Sequence, residues 1–260
     1  MIAVPYRVDQ RAIGVGQGPL RILEALGQPC HLIELDDCAA GASLARAGFL
    51  NRRLGDAVAR EGGRPLILAG SCNCALGVLA GLSRRLALPR LGLVWFDAHG
   101  DFNTPETSIS GSLDGMALAA AVGDCHADLC AACGLLANVA GENVVLAAAR
   151  DLDPGEAARL SSSRIERTDI SGLGATVERL ATRADAVYLH IDLDVLDPDF
   201  SPGVNCTTPG GVHPDELFEA IRAIPPALPI AATTIANYNP ERDRGDRTLK
   251  LAVELAEAFL

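Results

Sequence analysis

The sequence predicts a single α/β domain spanning 1–260, with three layers: a mostly parallel central sheet between two sets of helices. Three observations predict it. Short apolar runs alternate with helix-like stretches along the whole chain, as in α/β folds. The runs are continuous rather than alternating apolar and polar, the pattern of strands buried on both faces. No linker, repeat or low-complexity tract interrupts the series. The composition is 49% hydrophobic but only 4% aromatic, so Ala, Leu, Val and Gly fill the core and favour helix-on-sheet packing.

Taken in order, PLILAGS (65–71) is the first clear strand, and ALGVLAGLSRRLAL (75–88) follows it as a helix. LGLVWFDAH (91–99) is a second strand, followed by helical MALAAAVGD (116–124) and an Ala-rich helical stretch at 125–133. NVVLAAARD (143–151) precedes two helices, PGEAARLSSS (154–163) and GATVERLATRA (174–184). AVYLHIDLD (186–194) is the fourth strand. The next helix begins HPDE, with Pro near its first position and acids at its positive end. IAATTIANY (230–238) is the fifth strand, and TLKLAVELAEAFL (248–260) closes the chain as a helix.

A net charge of −11 and a pI near 4.9 argue against nucleic acid and anionic membranes as partners. No run reaches the roughly 18 apolar residues of a membrane span. MIAVPYRVDQ lacks the basic-then-apolar layout of a signal peptide, so a cytoplasmic location is expected. The eight cysteines (30, 38, 72, 74, 125, 130, 133 and 206) are therefore expected to be reduced. Cys125, Cys130 and Cys133 have a spacing that invites a zinc reading, but their Ala-rich helical setting favours plain burial.

WFDAHGDFN (95–103) raises the chemical question. Side chains alternate across a strand, so Asp97, His99 and, if the extended geometry continues, Asp101 share one side. Asp192 and Asp194 do the same at the end of a second strand. A lone strand-end Asp is usually a cap or a loop bond. Two such groups at two strand ends would repel each other unless protonated or neutralised by cations. Two divalent ions balance the four carboxylates and leave a bridging water free to ionise. The mixed oxygen and nitrogen donors favour Mn, Zn, Fe or Co over Ca.

The segments GVGQGPLRIL (14–23), WFDAHGDFNTPETSISG (95–111), RDLDPGE (150–156) and HIDLDVLDPDFSPG (190–203) resemble the arginase/agmatinase (ureohydrolase) family. The resemblance covers nearly the whole chain. It implies an arginase-like fold, two Mn2+ ions per chain (other divalent ions being alternatives), hydrolysis of guanidino groups and a trimeric or hexameric homo-oligomer. It also implies that Asp97 and Asp192 bridge the ions, that Asp101 binds one, and that His99 and Asp194 bind the other.

The chain departs from the family pattern at four places. AGSCNCALG (69–77) puts Cys72 where the family has its first metal-ligating His. Relatives that act on N-hydroxyarginine carry Cys there. Cys72 is expected to ligate as thiolate, which favours a softer ion and raises the pKa of the bridging water. The other reading makes Cys72 a buried small residue, with one ion weakly held. Asp114 stands at the family's proton-shuttling His, either as an acid/base or as a solvated loop residue. Asn237 replaces the guanidinium-binding Glu, so an ion pair is lost. Cys206 replaces a pocket-lining Thr.

The other end of the site matches. By resemblance, Asn103 and Ser110 contact a substrate α-carboxylate, and Asp153, with Glu156 behind it, lies near the α-amino group. Asp153 is also a natural helix N-cap ahead of Pro154. Retaining this end favours an amino-acid-like small molecule over a plain amine such as agmatine. His190 is expected on the strand face opposite the Asp-Leu-Asp step, in a packing or supporting role. His31, His126 and His213 have no evident partners, and PERDRGDR (240–247) reads as a solvated loop.

The expected activity is amidinohydrolysis of a guanidino or N-hydroxyguanidino amino acid, with Asp194 or Asp114 moving protons. The alternatives are hydrolysis of another linear amidine, such as a formimino amino acid, and an inactive relative that binds metal or amino acid.

Overall fold

The structure, a computed structural model, describes residues 1–35 and 42–260. Its strands are β1 (Ile2–Val4), β2 (Tyr6–Arg7), β3 (Gln10–Arg11), β4 (His31–Leu32), β5 (Leu66–Ala69), β6 (Leu91–Phe96), β7 (Val144–Ala147), β8 (Glu166–Thr168), β9 (Ala186–Asp192) and β10 (Ile230–Ala236). Its α-helices are α1 (Gly18–Leu26), α2 (Ser43–Arg60), α3 (Cys74–Leu82), α4 (Ala117–Val122), α5 (Ala127–Cys133), α6 (Pro154–Ser162), α7 (Leu173–Leu180), α8 (Pro214–Arg222) and α9 (Arg247–Glu257).

Eight strands form one sheet in the order β4-β1-β5-β10-β9-β6-β7-β8. Every pair in it is parallel, while β2 and β3 make a separate antiparallel pair. One face packs on α2 to α5, with Leu50, Leu54, Leu76, Leu79 and Trp95 in a single core. The other packs on α1, α7, α8 and α9, around Phe96, Ile191, Val177 and Leu255. The expected three layers are present. No single helix among the described residues is long and apolar enough to cross a membrane.

The strand order places the site. After β5 the chain leaves a gap before β6, and the late strands β9 and β10 fill it. The carboxyl ends of β5, β10, β9 and β6 are therefore neighbours, at the kind of switch point where open α/β sheets bind ligands. In register, Ala236 pairs with both Ala69 and Asp192, and Phe96 pairs with Ile191, which sets Asp97 level with Asp192. Two residues below, His190 pairs with Trp95 and Thr234. The loop after β5 passes close to the first segment: a Cβ on Gly70 would stand 2.4 Å from the Tyr6 carbonyl oxygen.

The seven described cysteines are free, as expected; Cys38 lies outside the described residues. The 125–133 stretch is α5 from Ala127, and it packs Cys130 and Cys133 into the core. The three-residue strand β1 and the eighteen-residue helix α2 are absent from the sequence reading.

Candidate metal centre

Four strand-end segments build a polar cluster inside an apolar sheet. Cys72 follows β5, Asp97 to Asp101 follow β6, Asp192 and Asp194 end β9, and Asn237 follows β10. Asp97, Asp101, Asp192 and Asp194 are each at most 6% exposed, and Cys72 is 1% exposed. The ligand atoms of Cys72, Asp97 and Asp101 lie within 4.8 Å of one another, and so do those of Asp97, His99 and Asp194. Asp97 belongs to both groups. Asp192 completes the first side: Cys72 Sγ donates to its Oδ2 at 3.0 Å. The five oxygen- and nitrogen-bearing ligands expected from sequence are thus brought together with Cys72.

The loops that carry these groups turn sharply. Asp101 and Asn237 both have left-handed backbones, φ 47° and 66°, a region Asn and Asp tolerate better than most residues. Gly100 passes so close to Glu156 that a Cβ would stand 2.6 Å from its Oε1. Asp101 Oδ2 is buried with no hydrogen-bond partner. A buried oxygen without a donor is costly unless a cation faces it. That orphan, together with hard and soft donors converging in two overlapping groups, fits a pair of divalent ions.

The electrostatics of these side chains agree. Burial, then the charge of Asp97, pushes Asp101 well above the usual carboxylate range. Burial and the charges of Asp194 and Asp97 do the same to Asp192. Burial and Asp97 raise Asp194 to about 6. His99 works against its own burial: hydrogen bonds from Nδ1 to Asp194 at 3.1 Å and Asp97 at 3.3 Å raise it to about 12. Burial also acts on Asp97, but His99 outweighs it and leaves Asp97 below its ordinary value. Burial, then the surrounding carboxylates, raises the Cys72 thiol.

Burial and mutual repulsion thus favour the protonated forms of Cys72, Asp101 and Asp192, and carboxylates favour the protonated form of His99, at the atoms where ions would sit. A proton and a cation compete for the same atoms, so acid strengthens the competitor. Mn2+ binding is expected to release protons and to tighten as pH rises from 6 to 8. Calorimetric titration in two buffers of different ionisation heat reads this; identical apparent enthalpies in both would contradict it.

Beneath the ligands lies an aromatic pair. Trp95 and His190 stack with centroids 3.7 Å apart and planes at 15°. Trp95 Nε1 donates to Asp97 Oδ2 at 3.0 Å, and His190 Nε2 lies 3.2 Å from Cys72 Sγ. His190 packs beneath the ligands as expected, but the strand face expected for it is corrected. It lies on the same strand face as Asp192, two residues away, because period-two alternation returns the side chain to that face. Burial holds its imidazole neutral, with its pKa pushed down to about 3.

The sequence reading gives Arg150 no role of its own. All its N–H groups go to main-chain carbonyls: Nε to Pro209, Nη1 to Ala148 and Val195, Nη2 to Asp194 and Thr208. It ties the loops after β7 and β9 together and fixes the segment carrying Asp194.

The other expected residues fall in several places. Asn103 Nδ2 donates to Asp153 Oδ2 at 3.0 Å, and Asp153 caps α6 in a capping box with Glu156. Glu156 is buried and accepts from the main-chain N–H of Phe102 at 2.8 Å and of Asp153 at 3.2 Å, so it holds both sides of that pair. Ser110 and Cys206 are exposed on their loops, Cys206 within reach of the charges of His99 and Asp194. Asn237 Nδ2 donates to Cys72 Sγ at 3.1 Å and to Asp192 Oδ2, facing the ligands. Asp114 is not a solvated loop residue: its carboxylate accepts from Ser71 and Asn73.

His126 Nε2 and Met116 Sδ are 3.1 Å apart, and His213 caps α8 by accepting from the Asp215 N–H. Both histidines have partners the sequence did not reveal.

Comparison with known proteins agrees with this geometry. A family model described as "Arginase family" matches residues 1–260. The arginase of Bacillus caldovelox is 33% identical over 286 residues, covering 98% of this chain and 95% of that protein. The arginase of Bacillus subtilis strain 168 is 37% identical over 204 residues, covering 75% of this chain and 68% of that protein. The solved structure of Entamoeba histolytica arginase in complex with L-ornithine superimposes with a TM-score of 0.84 at 25% identity, covering 99% of this chain and 97% of that one.

Proposed function

Since the chain belongs to the arginase family of metal-dependent hydrolases that cleave C–N bonds in linear amidines, we propose that it hydrolyses the guanidino or N-hydroxyguanidino group of an arginine-like amino acid. The observation that carries the amino-acid specificity is the Asn103–Asp153 pair. It is held in place by Glu156, and Asn103 lies two residues from Asp101 in the same loop. Such a pair suits a substrate with both an ammonium and a carboxylate. The L-ornithine bound to the Entamoeba relative supports the same class.

Cys72, Asp97, Asp101 and Asp192 would hold one ion, and Asp97, His99, Asp192 and Asp194 the other. When bound, the pair of ions supplies a water that ionises near neutral pH and an electrophilic pull on the amidine. The preferred ion is Mn2+. Trp95 and His99 fix Asp97 through its two oxygens, from below and from the main chain. Arg150 and the Ala98 N–H fix Asp194, the latter at 3.1 Å from Oδ1. Asp194 Oδ2, on the His99 side, takes the proton from the attacking water. It then returns the proton to the departing amine as the C–N bond breaks and urea or hydroxyurea leaves.

Asn237 favours a second reading of the same chemistry. Its uncharged amide offers no ion pair to a guanidinium. Hydrolysis of a less basic amidine, such as a formimino amino acid, is the corresponding alternative.

One experiment separates these. The Mn2+-loaded protein is incubated with arginine, N-hydroxyarginine, agmatine and a formimino amino acid, with metal content measured in parallel. Urea or hydroxyurea from the amino acids, and little from agmatine, is the expected result. Formamide as the main product would select the second reading. One ion or none per chain with no turnover on the whole panel would leave a metal- or amino-acid-binding relative.

A further inference from the structure

Asp114 stands where the sequence suggested an acid or base, yet its oxygens are directed into the fold. Oδ1 accepts from the Asn73 N–H at 3.2 Å and from Asn73 Nδ2 at 3.0 Å. Oδ2 accepts from Ser71 Oγ at 3.1 Å. Ser71 and Asn73 are the two residues flanking Cys72. One carboxylate therefore grips the chain immediately before and immediately after the sulfur ligand.

Both flanking residues are anchored again on their far sides. Ser71 Oγ accepts from the Val8 N–H at 3.0 Å. Asn73 Oδ1 accepts from Asn51 Nδ2 at 3.1 Å, and Asn51 Oδ1 accepts from the Gly77 N–H at 3.2 Å. Asn51 sits on α2 and is fully buried, so this polar chain runs from α2 through Asn73 to Asp114 with every named atom partnered. A satisfied buried network of this kind selects one local geometry.

We propose that Asp114 is the positioning residue for Cys72: it fixes the Ser71–Cys72–Asn73 turn so that Sγ points at Asp97 and Asp101, and it carries no proton in the reaction. The proposal rests on the reading of Cys72 as a metal ligand. Cysteine has a short side chain, so main-chain placement decides whether its sulfur reaches an ion. The carboxylate of Asp114 supplies that placement, and both of its oxygens are engaged by the residues that flank Cys72.

Co2+ binding to the metal-free protein tests this, because a thiolate bound to Co2+ gives a near-ultraviolet charge-transfer band independent of turnover. The wild type is expected to show the band and Cys72→Ser to lack it. Asp114→Ala is expected to weaken the Co2+ site that gives the band by about 10–100-fold, the usual effect of losing a residue that orients a ligand. Asp114→Asn keeps an acceptor for Asn73 and a hydrogen bond to Ser71, and is expected to restore the band, with turnover following it. Wild-type Co2+ affinity in Asp114→Ala would overturn the proposal. So would an Asp114→Asn protein that keeps the band but loses turnover, which would mark a proton-transfer role; this second arm decides even if Asp114→Ala does not fold. A wild type without the band would remove Cys72 from the coordination, the separate failure of the underlying reading.

Discussion

Asp97→Asn is expected to lose both ions and to lower kcat by at least about 10³-fold, because without them the attacking water returns from a pKa near 7 towards 15.7. Asp97 is the one residue shared by the two groups of converging ligand atoms. Its oxygens already accept from Trp95 Nε1 at 3.0 Å and the His99 N–H at 2.7 Å. An amide in the same place loses the charge and must turn an NH2 toward one of these donors. It also removes a partner that holds His99 against Asp194. The change is isosteric, so the fold should survive, and metal analysis alongside urea release separates lost ions from lost structure. A folded variant with two ions and near wild-type turnover would sink the bridging assignment.

Trp95→Ala is expected to cost about 3–5 kcal/mol of stability, the range for removing a large buried aromatic. Trp95 has no exposed surface, stacks on His190 at 3.7 Å and sits under two ligands. Against a typical domain stability of about 5–15 kcal/mol this is a large fraction. Trp95→Phe keeps a ring against His190 but loses the N–H to Asp97. It should therefore retain most of the stability and show weaker metal binding. Denaturant unfolding of the two variants, with Mn2+ affinity measured on each, checks both parts. Equal stability losses in Ala and Phe would mean the hydrogen bond, not the stack, dominates.

Much of this was legible in the sequence because buried parallel strands write themselves as apolar runs and their polar ends stand out. Asp97, His99, Asp101, Asp192 and Asp194 are readable on that basis alone. Trp95 and His190 follow from the same period of two, since each lies two residues before a ligand, but their polar atoms are hidden inside apolar runs. Arg150, and Glu156 through the Phe102 N–H, act on main-chain atoms of distant loops, and no local pattern records such contacts. The helix α2 has an apolar stripe of Leu50, Leu54 and Val58, but Gly48, Asn51 and Gly55 interrupt it where the helix packs closely against α3 and α5. Asp114 is visible as a departure, but its partners Ser71 and Asn73 come together only through the fold.

The late insertion of β9 and β10 between β5 and β6 has a consequence for biosynthesis. While the ribosome has made only the first 180 or so residues, Cys72 and Asp97 border an open seam, and their polar groups remain wet. The seam closes when residues 186–236 thread between two strands already present. Such long-range pairing is slow and comes late in folding. A cation site that needs Cys72, Asp97 and Asp192 together is therefore complete only after the last strand has been made and the sheet has sealed.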